Sequence, residues 1–262
     1  MNGVLVLMIS LAQVLHLAGG DVQHPQWDTL IGLLNTNNQA VMARITLYDE
    51  DSGAKVMWPK FDGSSAASCD IILKPLAAWA ATFIPGNGFN REFGSDCGPP
   101  LVDFKGHATI ESTLPIKTWS MASGGGWDSA GPSINIPIRS ELVERSEWAI
   151  PYVIPVFEDQ NHSGVNAYTT GLSIQNFSNK AVNVTIIYRP NQNYPQWGQS
   201  WQFTRRLAPN GGMRTDLQEA LRLPMATSEG SLEILSDVPA KLYPSAIIAT
   251  KNYIFAAGEE FQ

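Results

Sequence analysis

The residues most suited to chemistry in this sequence are aromatic side chains within residues 193–203, which read NYPQWGQSWQF. Tyr194, Trp197 and Trp201 stand there among Gln and Asn. Flat aromatic faces beside amide groups suit sugar rings, which offer apolar C–H faces and hydroxyl edges. Trp127, in a glycine-rich stretch, is a fourth candidate ligand-binding residue of this kind. The alternative interpretation, that the indoles only cover the edge of a folded unit, stays open.

No set of side chains has the spacing of a known catalytic motif. Ser123 is followed by three glycines, but the pattern of a nucleophile elbow is missing, so we expect a flexible loop. No phosphate-binding loop occurs, and the four histidines are too scattered for a metal site. Asp49, Asp51 and Ser52 offer oxygen ligands to calcium, although a solvated turn is the simpler interpretation. We therefore expect a non-enzymatic protein with no catalytic residues, no cofactor and no metal.

The low charge content of the chain excludes one class of partner. Charged residues make up 16 % of the sequence, and the net charge is -7. No basic surface is available to neutralise phosphates, so we expect no nucleic-acid binding. Low charge combined with many Gly and Pro residues instead suits an all-β protein with many turns.

The segments that must position these side chains occur as an internal repeat in the sequence. Residues 106–117 (GHATIESTLPIK) and 230–241 (GSLEILSDVPAK) share Gly, Ile, Ser, Pro and Lys at the same spacing. Each copy alternates in polarity and then reaches Ser-x-x-Pro, which predicts a strand, a tight turn and a second strand. A repeat of this length indicates a tandem duplication.

A second repeated segment contains an asparagine turn. Residues 27–48 predict two strands around Asn35, and residues 170–188 predict two strands around Asn176. The polar turn between the strands is typical of a hairpin, so we predict one hairpin in each copy.

A third repeated segment contains a proline. Residues 71–83 match residues 206–217, with Pro75 over Pro209. Proline cannot donate to a strand ladder, so it is predicted in a turn between two strands. Asp216 is a candidate N-cap for one short helical turn over residues 216–222.

Each copy closes with further strands, and a charged segment separates the copies. The closing strands are predicted at residues 117–121 and 133–138 in the first copy, and at 241–250 and 253–257 in the second. Residues 139–147 (RSELVERSE) hold the densest charge of the chain, and we predict an exposed linker or a short helix there.

The two cysteines fall where the copies differ in length. The first copy has gained residues before Leu73 and again between Phe83 and Gly106, while the second copy has neither gain. Cys69 lies beside the first gain and Cys97 inside the second. We therefore predict a Cys69–Cys97 disulfide that joins the two enlarged loops, with two free thiols as the alternative.

The N-terminus allows two interpretations. Residues 4–17 are apolar and are followed by Ala-Gly-Gly, which resembles a signal peptide without its basic beginning. Residues 10–16 of this run fall where the second copy has residues 151–157, so a first β-strand is the alternative. The apolar run is too short and interrupted for a stable membrane span.

The order of the asparagine turn, the proline turn and the Gly-x-x-x-Ile-x-Ser-x-x-Pro segment resembles a known group. It is similar to the sensory rhodopsin transducer family and to related tandem β-sandwich repeats of bacterial surface proteins. Residues 34–36, 45–48 and 110–116 carry the resemblance in the first copy, and residues 171–188 and 230–239 carry it in the second. The resemblance implies protein or carbohydrate binding without catalysis.

The sequence thus predicts an all-β protein of two tandem antiparallel β-sandwich domains related by internal duplication. The domains are residues 1–140, with 1–20 as the candidate signal peptide, and residues 141–262. We expect a secreted or cell-surface module, or a periplasmic one, that contacts a protein partner or self-assembles. The alternatives are a carbohydrate-binding protein that uses the Trp loops and a transducer-like signalling adaptor. A cytoplasmic location is expected if the N-terminal segment is a strand.

Overall fold

The structure of the chain is a computed structural model. It describes residues 5–11, 27–82, 97, 106–124, 133–135, 138–139, 142–157, 168–223, 227–250 and 254–257. The chain divides into two compact units, and among the described residues the second begins at Val143. Nearly all regular structure is antiparallel strand, which confirms the all-β expectation.

The first unit contains eleven described strands: β1 (Leu5–Leu11), β2 (Trp27–Leu34), β3 (Val41–Asp49), β4 (Trp58–Pro59), β5 (Ser65–Ala66), β6 (Cys69–Leu73), β7 (Ala78–Thr82), β8 (Gly106–Ser112), β9 (Lys117–Gly124), β10 (Ser133–Asn135) and β11 (Ile138–Arg139). Two sheets form its body, in the orders β11-β1-β8-β3-β6 and β10-β9-β2-β7. The short strands β4 and β5 pair with each other.

The second unit contains β12 (Arg145–Phe157), β13 (Tyr168–Asn176), β14 (Val182–Pro190), β15 (Trp201–Leu207), β16 (Gly212–Asp216), α1 (Leu217–Leu221), β17 (Thr227–Ala240), β18 (Leu242–Thr250) and β19 (Ile254–Ala257). Its strands follow the order β15-β14-β17-β12-β13-β18-β19, and β16 pairs with β13. The last two residues of β12 join the two halves of this order by pairing with the start of β13.

One buried cluster in each unit receives side chains from both halves of its strand order. In the first unit Ile31 and Trp79 come from one sheet, while Ile45, Ile71 and Ile110 come from the other. In β3 the exposure alternates over its first five residues, as a strand with one face on a core requires. Two antiparallel layers that share one core form a β-sandwich. The second unit is built in the same way around Ile174, Ile186 and Ile234.

The predicted hairpins at the asparagine turns are wrong. Strand β2 pairs with β7 and β9, whereas β3 pairs with β6 and β8, so the turn between β2 and β3 passes from one sheet to the other. In the second unit β13 pairs with β16 and β18, whereas β14 pairs with β15 and β17, so these two strands are not partners either, although they belong to one continuous sheet. Alternation of polarity identifies the face of a strand that meets the core, but it does not identify the neighbouring strand.

Asn35 and Asn176 organise these crossing turns. The buried Asn35 amide donates to the carbonyl oxygens of Gln39, Leu73 and Lys74 at 2.8, 3.2 and 2.9 Å. The buried Asn176 amide donates to Lys180 and Ala208 at 2.9 and 2.8 Å. Each asparagine thereby holds its own turn against the neighbouring proline turn. A side chain that supplies buried hydrogen bonds to backbone carbonyls explains why both units have asparagine here.

The two prolines and the short helix lie where the sequence predicted them. Pro75 lies in the turn between β6 and β7, and Pro209 lies between β15 and β16. The carboxylate of Asp216 accepts from the backbone N–H of Glu219 at 3.1 Å, which caps α1.

The charged segment at residues 139–147 forms no helix within its described residues. Residues 142–144 have no regular structure, and β12 begins at Arg145. Val143, Glu144 and Glu147 are exposed, which confirms the exposure that the charge density predicted.

The apolar N-terminal segment contains a strand. Residues 5–11 form β1, which pairs with β8 over its whole length and with β11 at two residues. Cleavage near residue 20 would remove this strand and leave β8 with β3 as its partner. The structure therefore supports a strand in this segment, but at residues 5–11 and not at the expected residues 10–16.

The predicted disulfide is confirmed. Cys69 and Cys97 are bonded, with their Cα atoms 6.0 Å apart, and both are buried in the core cluster of the first unit. Cys97 also forms an isolated bridge with Lys60. The bond therefore ties the enlarged segment around Cys97 to the beginning of β6. No helix in the described part of the chain has the length and apolar character needed to cross a membrane.

Candidate functional site

The aromatic loop of the second unit connects β14 to β15 and is built from successive turns. The backbone N–H of Tyr194 donates to Asn191 O at 3.0 Å, and that of Trp197 donates to Tyr194 O at 2.9 Å. Gly198 follows with φ of 88°, a left-handed conformation that glycine adopts without strain. The loop also joins the sheet, because Asn191 N donates to Glu229 O at 2.7 Å. These bonds fix the backbone conformation of the loop that carries the aromatic side chains.

The structure separates the two indoles that the sequence placed together. The side chain of Trp197 is 66 % exposed, at the tip of the loop. Trp201 begins β15, is half-buried and packs against the core of the second unit. Its ring lies 6.2 Å from the ring of the buried Tyr188, tilted by 39°. Trp197 is therefore available to a ligand, whereas Trp201 mainly closes the end of the core.

Tyr194 lies in a small polar cluster that the sequence did not predict. The phenols of Tyr194 and Tyr152 both hydrogen-bond to the carboxylate of Glu229. Partial burial, followed by the contact with this carboxylate, raises the pKa of both phenols above their usual value. Both tyrosines therefore stay protonated at neutral pH and act as donors to Glu229.

The position of the cluster explains why sequence reasoning missed it. Tyr152 lies on β12 at a register irregularity between Ile150 and Val153, and Glu229 lies on β17 immediately before Gly230. A Cβ at Gly230 would overlap the backbone oxygen of Arg189, so glycine is needed for this close approach of β14 and β17. Only strand pairing brings Tyr152 and Glu229 to the loop. The one signal in the sequence was Gly230, because a glycine inside a predicted strand often marks a close approach of another backbone.

Trp127, the fourth candidate, lies outside the described residues.

The oxygen-rich residues 49–52, which the sequence offered as a possible calcium site, form a hydrogen-bonded turn in the structure. Ser52 donates to Asp49 Oδ1 from both its backbone N–H, at 2.9 Å, and its hydroxyl, at 2.6 Å. The aspartate thereby stabilises a tight turn after β3. No group of three or more His, Cys, Asp or Glu residues in the described chain is arranged to hold a metal.

An exposed apolar pair on the outer face of the first unit forms a second candidate surface. Ile72 on β6 and Met42 on β3 are cross-strand partners, with 65 % and 41 % of their surfaces exposed. The next pair on this face is Arg44 and Asp70, joined by two hydrogen bonds of 2.7 and 2.9 Å. The hydrogen bond from Arg44 lowers the pKa of the Asp70 carboxyl. We call these four residues the β3–β6 patch.

Comparisons with known proteins leave the chain without a family. No family model matches it, and no curated protein matches it. One solved structure with a detectable similarity is the crystal structure of Thermotoga maritima 1070, at 16 % identity. The match covers 45 % of this chain and 94 % of that chain, with a TM-score of 0.33. At that score the function has to be argued from the residues themselves.

Proposed function

We propose that the chain is a non-enzymatic, exported or cell-surface module that self-assembles through the β3–β6 patch. The observation that carries the proposal is the adjacent exposure of Ile72, on the edge strand β6, and Met42, on the neighbouring strand β3. Side chains of this size lower the free energy when a partner removes them from water, by roughly 25 cal/mol per Å² of apolar area. The neighbouring Arg44–Asp70 pair supplies the polar rim that interfaces usually have.

The second unit provides an internal comparison for this patch. Val182 pairs with Leu207 on β14 and β15 as Val41 pairs with Leu73 on β3 and β6. The next pair outward is Asn183 and Arg206 in the second unit, but Met42 and Ile72 in the first. The sandwich therefore folds with a polar pair at this position. The apolar pair is an addition that supports a contact role.

A second copy is the favoured partner because the patch carries both charges. A two-fold contact places the same surface against itself, so that Arg44 of one copy can approach Asp70 of the other. A patch with charge of one sign would repel its own copy.

Sedimentation velocity over a range of concentrations tests the proposal. We expect the parent chain to self-associate, and we expect the double variant Met42→Asn, Ile72→Arg to remain monomeric with an unchanged melting temperature. These substitutions reproduce the pair that the second unit already tolerates. Thr204→Arg, on the outer strand of the second unit, is the matched control and should associate like the parent. A parent chain that stays monomeric throughout would rule out self-assembly.

Two observations bear on the location, and they point in different directions. Because residues 5–11 form the strand β1, the structure favours retention of the N-terminal segment. A retained strand was the case in which the sequence predicted a cytoplasmic location. The Cys69–Cys97 disulfide favours an oxidising compartment, because cytosolic thiols are normally kept reduced. We give the disulfide more weight, since it joins two buried core residues. The proposed export then requires a route that leaves β1 in place.

Carbohydrate binding at the aromatic loop is the second candidate function. It is favoured by the exposure of Trp197, which presents an aromatic face in the same loop as Tyr194, whose phenol contacts the Glu229 carboxylate. The transducer-like adaptor role that the resemblance implies stays a prediction.

We also propose that the two units arose by internal duplication. The pairing order β6-β3-β8-β1 in the first unit has its counterpart in β15-β14-β17-β12, and β7-β2-β9-β10 has its counterpart in β16-β13-β18-β19. The asparagine bonds recur, as does a serine bond: Ser112 Oγ donates to Leu114 O, and Ser236 Oγ donates to Val238 O, both at 2.7 Å. An experimental structure should superpose Asn35 on Asn176 and Pro115 on Pro239, and a different strand order would reject the duplication.

A further inference from the structure

An exposed tryptophan lies flat on the outer face of the first unit. Trp119 on β9 and Gly32 on β2 are cross-strand partners, and a Cβ at Gly32 would overlap the indole ring. Gly32 is buried beneath the ring, yet the tryptophan side chain remains 47 % exposed. One face of the indole therefore lies against the backbone of β2 while the rest faces solvent.

The second unit shows that the sandwich does not need this arrangement. Gly32 lies three residues before the buried Asn35, and the residue three before the buried Asn176 is Ser173. Ser173 pairs with Ser245 on one side and with Arg214 on the other. The corresponding row in the first unit is Trp119, Gly32 and Ala80. A polar row has been replaced by an indole, a glycine and an alanine.

The open face of the indole is the feature that folding alone does not explain. A glycine inside a strand lacks a side chain to pack, and here the cross-strand indole covers it, which compensates for that loss. An indole that keeps about half of its surface in water forgoes much of the free energy that burial would supply. This exposure is explained if the open face of the ring is covered by a ligand.

We propose that Trp119, laid flat by Gly32, is a stacking platform for the pyranose ring of a neutral polysaccharide. A β-linked glucose ring carries its hydroxyls equatorially, so both faces of the ring are apolar C–H surfaces that match a flat indole. Lys117 is exposed two residues before Trp119 on the same strand face and can donate to hydroxyls at the ring edge. The net charge of -7 disfavours acidic polysaccharides.

The size of the platform favours a sugar over a protein. A half-exposed indole offers on the order of 100 Å², whereas a stable protein interface buries about 800 Å² on each partner. The neighbours in the row are Gly32 and Ala80, which add little apolar area. A single sugar ring is the occupant that fits an area of this size. The platform uses no residue of the β3–β6 patch or of the aromatic loop.

Affinity electrophoresis in gels that contain hydroxyethyl cellulose, xylan or mannan tests the proposal. We expect the parent chain to be retarded by the β-1,4-glucan and by xylan, and less by mannan, whose axial hydroxyl disturbs one face of the ring. Trp119→Ala should weaken retardation by about tenfold or more in the dissociation constant, as for other aromatic anchors. Gly32→Ala should weaken it similarly although it keeps the indole, because the new methyl group lifts the ring from the sheet.

Two controls make the outcome decisive. Ser173→Ala, the matched change in the second unit, should bind like the parent, and Trp197→Ala separates this platform from the loop. Melting temperatures identify any variant that loses binding through unfolding, and Trp119→Tyr, which keeps a flat ring, should then retain part of the affinity. Absence of retardation in all three gels would overturn the proposal. So would binding that Trp197→Ala abolishes while Trp119→Ala leaves it intact.

Discussion

At the scale of single residues, the two tryptophans of the aromatic loop should behave differently when truncated. Trp201→Ala removes a half-buried ring that packs against Tyr188, so we expect it to lower the free energy of unfolding by about 2 kcal/mol. Trp197→Ala should change stability by less than about 0.5 kcal/mol, because an exposed side chain has little packing to lose. Urea unfolding of both variants measures the difference, and equal losses would contradict this division of roles.

Ligand binding should follow the opposite order in the same pair of variants. If the loop binds sugars, Trp197→Ala should weaken binding of a soluble oligosaccharide, measured by calorimetry. Trp201→Ala should reduce binding only in proportion to the fraction of protein that it unfolds. The sequence could not make this distinction. It placed both indoles in one polar loop, and only the start of β15 at Trp201 shows that this ring turns toward the core.

At the scale of the elements, the crossing turns depend on two buried asparagines. Asn35→Ala leaves the carbonyl oxygens of Gln39 and Lys74 without the partner they have now, at a cost of roughly 2–4 kcal/mol. Asn176→Ala should cost a similar amount in the second unit, since its amide bonds two carbonyls of the same kind. Asn38→Ala, an exposed change in the same turn, is the control. Thermal melts would contradict the role if all three variants matched the parent.

Much of the strand content could be predicted from alternation, and the pairing could not. The alternating exposure of β14 follows its sequence, and Asp216 marked the start of α1. Neither signal tells which strand lies beside another, so the sequence predicted hairpins between strands that are not partners. The same limit hid the candidate sites. Trp119 meets Gly32, and Glu229 meets Tyr152, only after distant strands have paired.

At the scale of the whole molecule, the disulfide belongs to one of two separate cores. Cys69 and Cys97 are members of the buried cluster of the first unit, whereas the cluster of the second unit contains no cysteine. The bond joins residues 28 positions apart, and the chain-entropy model gives roughly 3–4 kcal/mol for a loop of this size. We therefore expect the Cys69→Ala, Cys97→Ala variant to destabilise the first unit selectively.

Hydrogen exchange followed by mass spectrometry locates that loss. Amides of β3, β6 and β8 should exchange faster in the double alanine variant, because β6 carries Cys69 and lies beside β3. Amides of β14, β15 and β17, which occupy the matching positions in the second unit, should keep the protection of the parent. Equal acceleration in both sets would mean that the units unfold as one cooperative body. Selective acceleration would show that each sandwich relies on its own core.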